Sequence, residues 1–432
     1  MISALNFFNP WWQTKTVPLE LTGRYREIFQ TLEKALYDRQ MTVISGLRRV
    51  GKTTLIYQLI DQLIQKQNAN PYHALYYSFD EKRWELPEIL AEYSAKILQK
   101  DLREADRIYL FLDEIQKLPD WADKVKMIYD LYPRIKIVIS GSANIMLRKG
   151  SRESLAGRFF DYQIRPLDFA ENLKFRGLSV DWRREDLFRG PLIVEFNKFL
   201  QSGGFIEALN FSETQQTKYF KESLLEQVVY RDIPQVFSIN MPDLLLRLLL
   251  IISEHPGLYL DYKNLGNDLK YDIRTITNYV EYLDYSLLVQ KLYNFSANLL
   301  TSEKKLKRIY LSNTAFTKAL HPRVPVEVLL EQFWINQLEA KYFFRSPRKE
   351  EVDLIFHHNK QILPVEIKIR KQVTKKEAAG LFVFMRKFRL NRGLMITLDT
   401  DGEIEHHQLK VILLPYWKYN SVMKTIESFK VS

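Results

Sequence analysis

The chain has 432 residues, 46% hydrophobic and 27% charged, which excludes a largely disordered polypeptide because there is ample apolar surface to offset chain entropy. It contains no cysteine, which excludes disulfides, thiolate zinc sites, iron–sulfur clusters and cysteine nucleophiles, and fits a reducing compartment. Lys and Arg number 63 against 52 Asp and Glu, a formal charge of +11 that favours polyanionic partners, with DNA foremost.

A length of this order predicts about three domains. Residues 1–18 are an aromatic lead-in with Phe7, Phe8, Trp11 and Trp12. An amphipathic helix is predicted over 19–38, where Leu19, Leu21, Tyr25, Ile28, Leu32 and Leu36 recur near helical spacing. Strands and helices then alternate. Strands are predicted at Thr42–Ser45, Ala74–Phe79, Ile108–Leu112, Lys136–Ser140 and Asp161–Ile164, with helices at 52–66, 86–101 and 121–132. Such alternation predicts a parallel sheet covered on both faces. Residues 166–237 read as helical. Three helices and two β-like runs follow over 243–312, and helix, strand, strand, helix, strand from about 327 onward. The richest apolar stretch, Leu244–Ile252, is broken by Arg247 and is shorter than the roughly 18 residues of a membrane span. The N-terminus lacks a charged start followed by an apolar core, so no signal peptide, no membrane partner and a cytoplasmic location are expected.

The loop Gly46-Leu47-Arg48-Arg49-Val50-Gly51-Lys52-Thr53 matches G-x-x-x-x-G-K-[ST] between a strand and a helix. Its backbone N–H groups would curl around phosphate oxygens at a helix N-terminus. Lys52 would contact the β- and γ-phosphates of ATP, and Thr53 would ligate Mg²⁺; Thr54 completes the cradle. The third strand ends Leu112-Asp113-Glu114, a Walker B pattern. Asp113 would orient Mg²⁺ through water and Glu114 would polarise the attacking water. Ser142, or alternatively Asn144, could sense the γ-phosphate from the end of the fourth strand, against a simple tight turn. Arg158 could act as an arginine finger on a neighbouring subunit in a homo-oligomer, or form an ordinary ion pair.

Taken together, Gly46–Thr54, Leu112–Glu114, Ser140–Ser142 and 155–166 resemble the prokaryotic AAA-type P-loop ATPases that carry a C-terminal domain of unknown function. Gly203-Gly204-Phe205-Ile206-Glu207, Tyr230-Arg231-Asp232, Ile309–Thr314, Glu351-Val352-Asp353 and Pro364–Lys368 extend the resemblance over nearly the whole chain, with Asn313 standing where the family has an acid. The resemblance implies a fold of α/β class. A P-loop AAA+ core with a parallel sheet would be followed by a helical and winged-helix domain, then by a C-terminal α/β nuclease-like domain. The corresponding spans are 1–215, 216–320 and 321–432.

In the middle segment, Leu265, Leu269, Ile276, Val280, Leu283 and Leu287 form a helical apolar stripe, and Asp272 is placed to cap a helix running to about Asp284. Two helices and two strands would make a winged helix whose second helix enters the major groove, presenting Arg274. That face is weakly basic. The basic residues concentrate in the wing, at Lys304, Lys305, Lys307 and Arg308, where phosphate contacts would position DNA without reading its sequence. The alternative is a winged helix that docks a protein partner.

Near the C-terminus, a hairpin centred between Asn359 and Lys360 would place Asp353 opposite Glu366 and Glu351 opposite Lys368. All four would share one face, and Val352, Leu354, Val365 and Ile367 the other. Opposed carboxylates repel, and a second divalent metal would relieve the repulsion. This is the geometry of a PD-(D/E)xK nuclease with Asp353, Glu366 and Lys368 in the named roles, and Glu331 on a helix at 327–342 as a further metal contact. The function expected is an Mg²⁺-dependent ATPase acting on DNA, with a metal-dependent C-terminal nuclease. The alternative is a slow ATP-dependent regulatory switch whose nuclease-like domain is inactive.

Overall fold

Five short runs rich in β-branched and aromatic residues build the first sheet: β1 (Met41–Gly46), β2 (Ala74–Ser78), β3 (Ile108–Asp113), β4 (Ile135–Ser142) and β5 (Phe159–Ile164). The computed structural model describes residues 1–81, 84–142, 154–304, 306–358, 361–370 and 372–431. It divides into two compact units, Met1–Pro166 and Leu167–Ser432.

In the first unit every strand pair is parallel and the order is β2-β3-β4-β1-β5. β1, β2 and β3 are buried along their whole length, as strands covered on both faces must be. The helix Lys52–Gln65 follows β1 directly and buries Leu55, Ile56, Leu59, Ile60 and Leu63. The α/β core with a parallel sheet is therefore the one expected. The single helix predicted over 19–38 is instead two, Leu19–Thr22 and Phe29–Ala35, with Gly23 ending the first. The helix predicted over 86–101 runs as α only to Tyr93 and continues as a π-turn over Ser94–Leu98.

The lead-in has a structural task. β2 is an edge strand, and an unpaired edge leaves backbone groups open. Trp11 and Trp12 both donate their indole N–H to the Ala74 carbonyl (3.1 and 3.0 Å). The Asn9 amide accepts from the Tyr76 N–H (2.7 Å) and donates to the Tyr76 carbonyl (2.9 Å), standing in for a neighbouring strand.

The second unit is helical up to its own large sheet. Helices Phe169–Phe175 and Arg189–Ser202 supply Phe169 and Phe196, which stack at 3.8 Å and join Phe333, Trp334, Tyr416 and Tyr419 in one core cluster. Helices Pro242–Glu254, Tyr262–Leu269 and Ile273–Tyr285 follow, the last capped by Asp272, whose carboxylate accepts from the Thr275 N–H. The strands are β6 (Leu258–Leu260), β7 (Val289–Asn294), β8 (Lys307–Leu311), β9 (Tyr342–Arg345), β10 (Glu351–His358), β11 (Gln361–Lys368), β12 (Arg392–Thr397), β13 (Gly402–His406) and β14 (Leu409–Pro415). Their order is β13-β14-β12-β11-β10-β9-β7-β8-β6. One sheet thus runs through both the middle and the C-terminal segments, joined where β7 pairs in parallel with β9. Strands β6, β9, β12 and β13 and the closing helix Tyr419–Val431 add to what the sequence predicted. The helix expected over 327–342 ends at Gln337, just before Glu339 turns to φ +49° and β9 begins.

The Gly203-Gly204 pair and Asn313 explain each other. The Asn313 amide caps the helix Thr314–Leu320 by accepting from the Ala315 N–H (2.9 Å) and donates to the Gly203 carbonyl (2.8 Å). A carboxylate at 313 could accept but not donate. Gly204 has φ +75°, its carbonyl accepts from the Leu167 N–H, and a Cβ there would lie 2.1 Å from the Leu167 carbonyl oxygen. Gly204→Ala is expected to lower stability by about 2 kcal/mol or more, read as a fall in the chemical-denaturation midpoint of the full chain. An unchanged midpoint would mean that the 167–204 contact is dispensable.

Candidate functional site

The glycine loop leaves β1 at its C-terminal end and re-enters secondary structure at Lys52, whose side chain is buried and donates to the carbonyls of Gly46 (3.3 Å) and Leu47 (2.9 Å). Within the loop Arg48 is half-buried, Arg49 is exposed at φ +65° and Val50 is buried; Thr54 lies in the first helical turn, half-buried. Because β4 lies between β1 and β3, the carboxylate that ends β3 must reach across the end of β4 to meet the loop. It does: Thr53 Oγ1 donates to Asp113 Oδ2 at 2.6 Å. Ser140 Oγ of β4 donates to Oδ1 of the same carboxylate, and Tyr76 of β2 donates to Oδ2 at 3.1 Å. Glu114 follows at φ +50°, its Oε2 accepting from Gln116 Nε2 at 2.5 Å. Burial raises the Glu114 pKa; Lys52 pulls it down and Asp113 pushes it up again.

Ser142 sits opposite Gly46 in the β1–β4 register, beside the loop. Its alternative, Asn144, lies outside the described residues. Arg158 is held by Asp130, at 3.0 Å from Nε and 3.3 Å from Nη2. Its carbonyl accepts from the Met41 N–H at the start of β1, so it stands at the opposite end of that strand from the loop.

The C-terminal hairpin pairs Leu354 with Val365 through His358 with Gln361, the register that a centre between 359 and 360 requires; those two residues themselves lie outside the described ones. The shared apolar face does not hold throughout. Pairing with β9 shifts register between Val352 and Ile355, and this bulge sends Val352 into a different core cluster from Leu354, Val365 and Ile367. Glu351 also leaves the group, bonding to Tyr259 Oη (2.8 Å) and Arg345 Nε (3.0 Å).

Asp353, Glu366, Lys368 and Glu331 do come together. Lys368 Nζ lies 2.5 Å from Glu366 Oε1, the Asp353 N–H donates to Glu366 Oε2 (3.3 Å), and the Ile367 N–H donates to Asp353 Oδ2 (2.9 Å). Burial, then the Asp353 charge, push the Glu366 carboxyl up to about 8. Burial likewise raises Glu331, and burial works against the Lys368 ammonium, which Asp353 and Glu366 nonetheless hold raised.

Arg308 joins this group rather than a solvent-facing wing. Its guanidinium is only 11% exposed and lies 3.0 Å from Glu331 Oε1 and 3.6 Å from Asp353 Oδ1, because β8 is an interior strand that turns alternate side chains inward. Of the other expected DNA contacts, Lys307 Nζ sits 4.9 Å from the centroid of the Tyr293 ring and Arg274 is exposed in the first turn of its helix. Lys304 ends the short helix Leu299–Lys304, and Lys305 lies outside the described residues. Among the described residues no three His, Asp or Glu side chains are arranged to hold a metal, and no helix is long and apolar enough to cross a membrane.

Residues 38–173 match the family model of an AAA domain, in agreement with the parallel sheet, the glycine loop and the Thr53–Asp113 contact. The first unit is therefore a domain of the P-loop AAA type. Residues 193–326 and 326–419 match two further models, each a domain of unknown function (DUF8612 and DUF4143). An uncharacterized protein of Methanocaldococcus jannaschii, MJ1544, is 27% identical over 421 residues, covering 93% of each chain. A second protein of that organism, MJ1637, is 26% identical over 87% of this chain and 85% of its own. A Haemophilus influenzae protein is 26% identical over 58% of this chain and 61% of its own. Among solved structures, the Aeropyrum pernix ORC1 protein in complex with DNA aligns at 14% identity with a TM-score of 0.33, over 72% of this chain and 96% of that one.

For an AAA-type site, the residues that sequence reasoning missed are Tyr76, Ser140 and Arg26. Arg26 Nη1 donates to the Val50 (3.3 Å) and Arg165 (2.6 Å) carbonyls, bracing the loop from behind. Alternation along β2 could have pointed Tyr76 towards one face, but not towards Asp113 at the end of the neighbouring strand. The donor set suits MgATP: loop N–H groups and Lys52 for phosphate, Thr53 and Asp113 for the ion. Tyr76→Phe removes a donor that fixes the Asp113 rotamer. It is expected to raise the Mg²⁺ concentration needed for half-maximal ATP binding about fivefold, equivalent to about 1 kcal/mol, measured with a fluorescent ATP analogue. Unaltered Mg²⁺ dependence would reduce Tyr76 to a packing role.

Proposed function

We propose that the chain is an Mg²⁺-dependent ATPase that engages DNA through its second unit. The observation that carries the ATPase reading is the 2.6 Å bond from Thr53, in the first turn of the helix after the glycine loop, to Asp113 at the end of β3. Loop amides and Lys52 bind and orient the triphosphate. Thr53 and Asp113 would hold Mg²⁺ when nucleotide is bound, and the ion would supply neutralisation of the phosphate charge. Glu114 accepts a hydrogen bond from the attacking water and takes its proton; Ser142, opposite Gly46, would register the γ-phosphate.

Support for DNA is the net charge of +11 and the order helix Tyr262–Leu269, helix Ile273–Tyr285, β7, β8, which is that of a winged helix. Arg274 and Asn278 are exposed on its second helix. Glu281 and Asp284 on the same helix are engaged by Lys291, which lessens the local repulsion of phosphate. The competing reading, a switch that docks a protein, is favoured by the exposure of Ile273 and Tyr285 at the two ends of that helix. Arg158 would serve a second copy of the chain only by releasing Asp130.

ATP turnover with and without duplex DNA tests the proposal, with Lys52→Ala as the blank. Stimulation by DNA that weakens as salt rises supports it. Turnover indifferent to DNA and lost in Lys52→Ala moves the second unit to the protein-docking reading. Glu114→Gln is expected to cut turnover by about 100-fold or more while ATP still binds. Because Glu114 acts deprotonated and its pKa is raised, turnover should fall on the acid side at a pH above the ordinary glutamate range. An acid limb at or below the pKa of a free glutamate would remove Glu114 as the base.

A further inference from the structure

We infer that Arg308 is the resident cation of the C-terminal carboxylate centre, and that the centre takes no divalent ion while this arginine is in place. A nuclease-type metal needs free carboxylate oxygens converging on one point. Here most of them are already engaged. Glu331 Oε1 accepts from Arg308 Nη2 (3.0 Å) and Tyr310 Oη (2.8 Å). Glu366 gives Oε1 to Lys368 and Oε2 to the Asp353 N–H. Asp353 gives Oδ2 to the Ile367 N–H and turns Oδ1 towards Arg308 Nη1 at 3.6 Å. The guanidinium therefore lies between Glu331 and Asp353, where a shared metal would have to sit.

Two fixed cations, Arg308 and Lys368, already face the three carboxylates. A dication entering would meet both Arg308 and Lys368 in a poorly solvated site, where like charges repel strongly. Arginine cannot yield by losing a proton. Nor is it free to swing away. Its Nε donates to the Gly257 carbonyl (3.2 Å), and the guanidinium lies 5.2 Å from the Tyr310 ring centroid and 5.8 Å from that of Phe343. Gly257, at φ +82°, makes the room: a Cβ there would stand 2.6 Å from Nη2. Arg308 Nη1 is buried without a hydrogen-bond partner among the described residues, the one loose contact in the group.

Removing one member of a buried ionic group leaves the rest uncompensated. Arg308→Met should therefore turn the centre into a divalent-cation site. The test is Mn²⁺ binding to the nucleotide-free full chain, followed by electron paramagnetic resonance. Four forms are compared: wild type, Asp353→Asn, Arg308→Met and the double variant. Wild-type binding is expected to be unchanged by Asp353→Asn, and Arg308→Met to gain about one Mn²⁺ per chain that the double variant loses. Mn²⁺ bound by wild type and lost in Asp353→Asn overturns the inference, and so does a folded Arg308→Met that gains no ion. If Arg308→Met does not fold, the wild-type comparison decides alone, because it needs no change at 308.

Discussion

A buried carboxylate, Asp113, organises the first unit. It is 2% exposed and accepts from the hydroxyls of Thr53, Ser140 and Tyr76 and from the Glu114 N–H. These donors come from the glycine-loop helix, β4, β2 and its own chain neighbour, so one side chain fixes the ends of three strands relative to the loop. An ionised carboxylate in this setting is costly unless hydrogen-bonded or met by a cation. All four donors are neutral. They orient the carboxylate while leaving its charge for a cation that arrives with the nucleotide. The lead-in belongs to the same chain of constraint. Asn9 pairs with the backbone of Tyr76, whose hydroxyl ends on Asp113.

The C-terminal centre meets the same physical problem with the opposite solution. Asp353, Glu366 and Glu331 are also drawn together at the inner part of a sheet, but their partners include a guanidinium and an ammonium from the same unit. Most of the charge is offset within the unit, which leaves little for an incoming ion to neutralise. The two carboxylate clusters thus differ in the charge of the donors around them.

That difference was only half legible beforehand. The glycine loop, the strand alternation and the Asp113-Glu114 ending are local patterns, and local patterns survive folding. The hairpin register from Leu354–Val365 to His358–Gln361 was legible for the same reason, since the turn centre fixes the pairs nearest it. What was not legible depends on contacts far apart in sequence. Arg308 reads as one of four basic residues in a wing, and only the pairing of β8 between β6 and β7 turns it onto Glu331. The bulge at Val352–Ile355 arises from pairing with β9, a strand too short and aromatic to stand out. The break at Gly23 in the predicted 19–38 helix shows the converse, a local glycine overriding an otherwise helical stripe.

The parallel join of β7 to β9 limits what the second unit can do. Tyr293 pairs with Tyr342 and Asn294 with Phe343, and backbone N–H groups of Tyr293 and Phe295 donate to the carbonyls of Lys341 (2.8 Å) and Phe343 (2.7 Å). Side chains extend the join: the Asn294 amide bonds to the Arg345 backbone in both directions, and Gln290 Nε2 donates to the Ala340 carbonyl. Sliding the β7–β8 hairpin past β9 would break this set together, each bond costing the desolvation of a buried polar group. It would also drag Arg308 off Glu331 and Asp353, exposing the uncompensated carboxylates. The hairpin and the C-terminal sheet therefore behave as one body. Lys307 stands next to Arg308 on β8, so a load on Lys307 would reach the carboxylate centre without an intervening hinge.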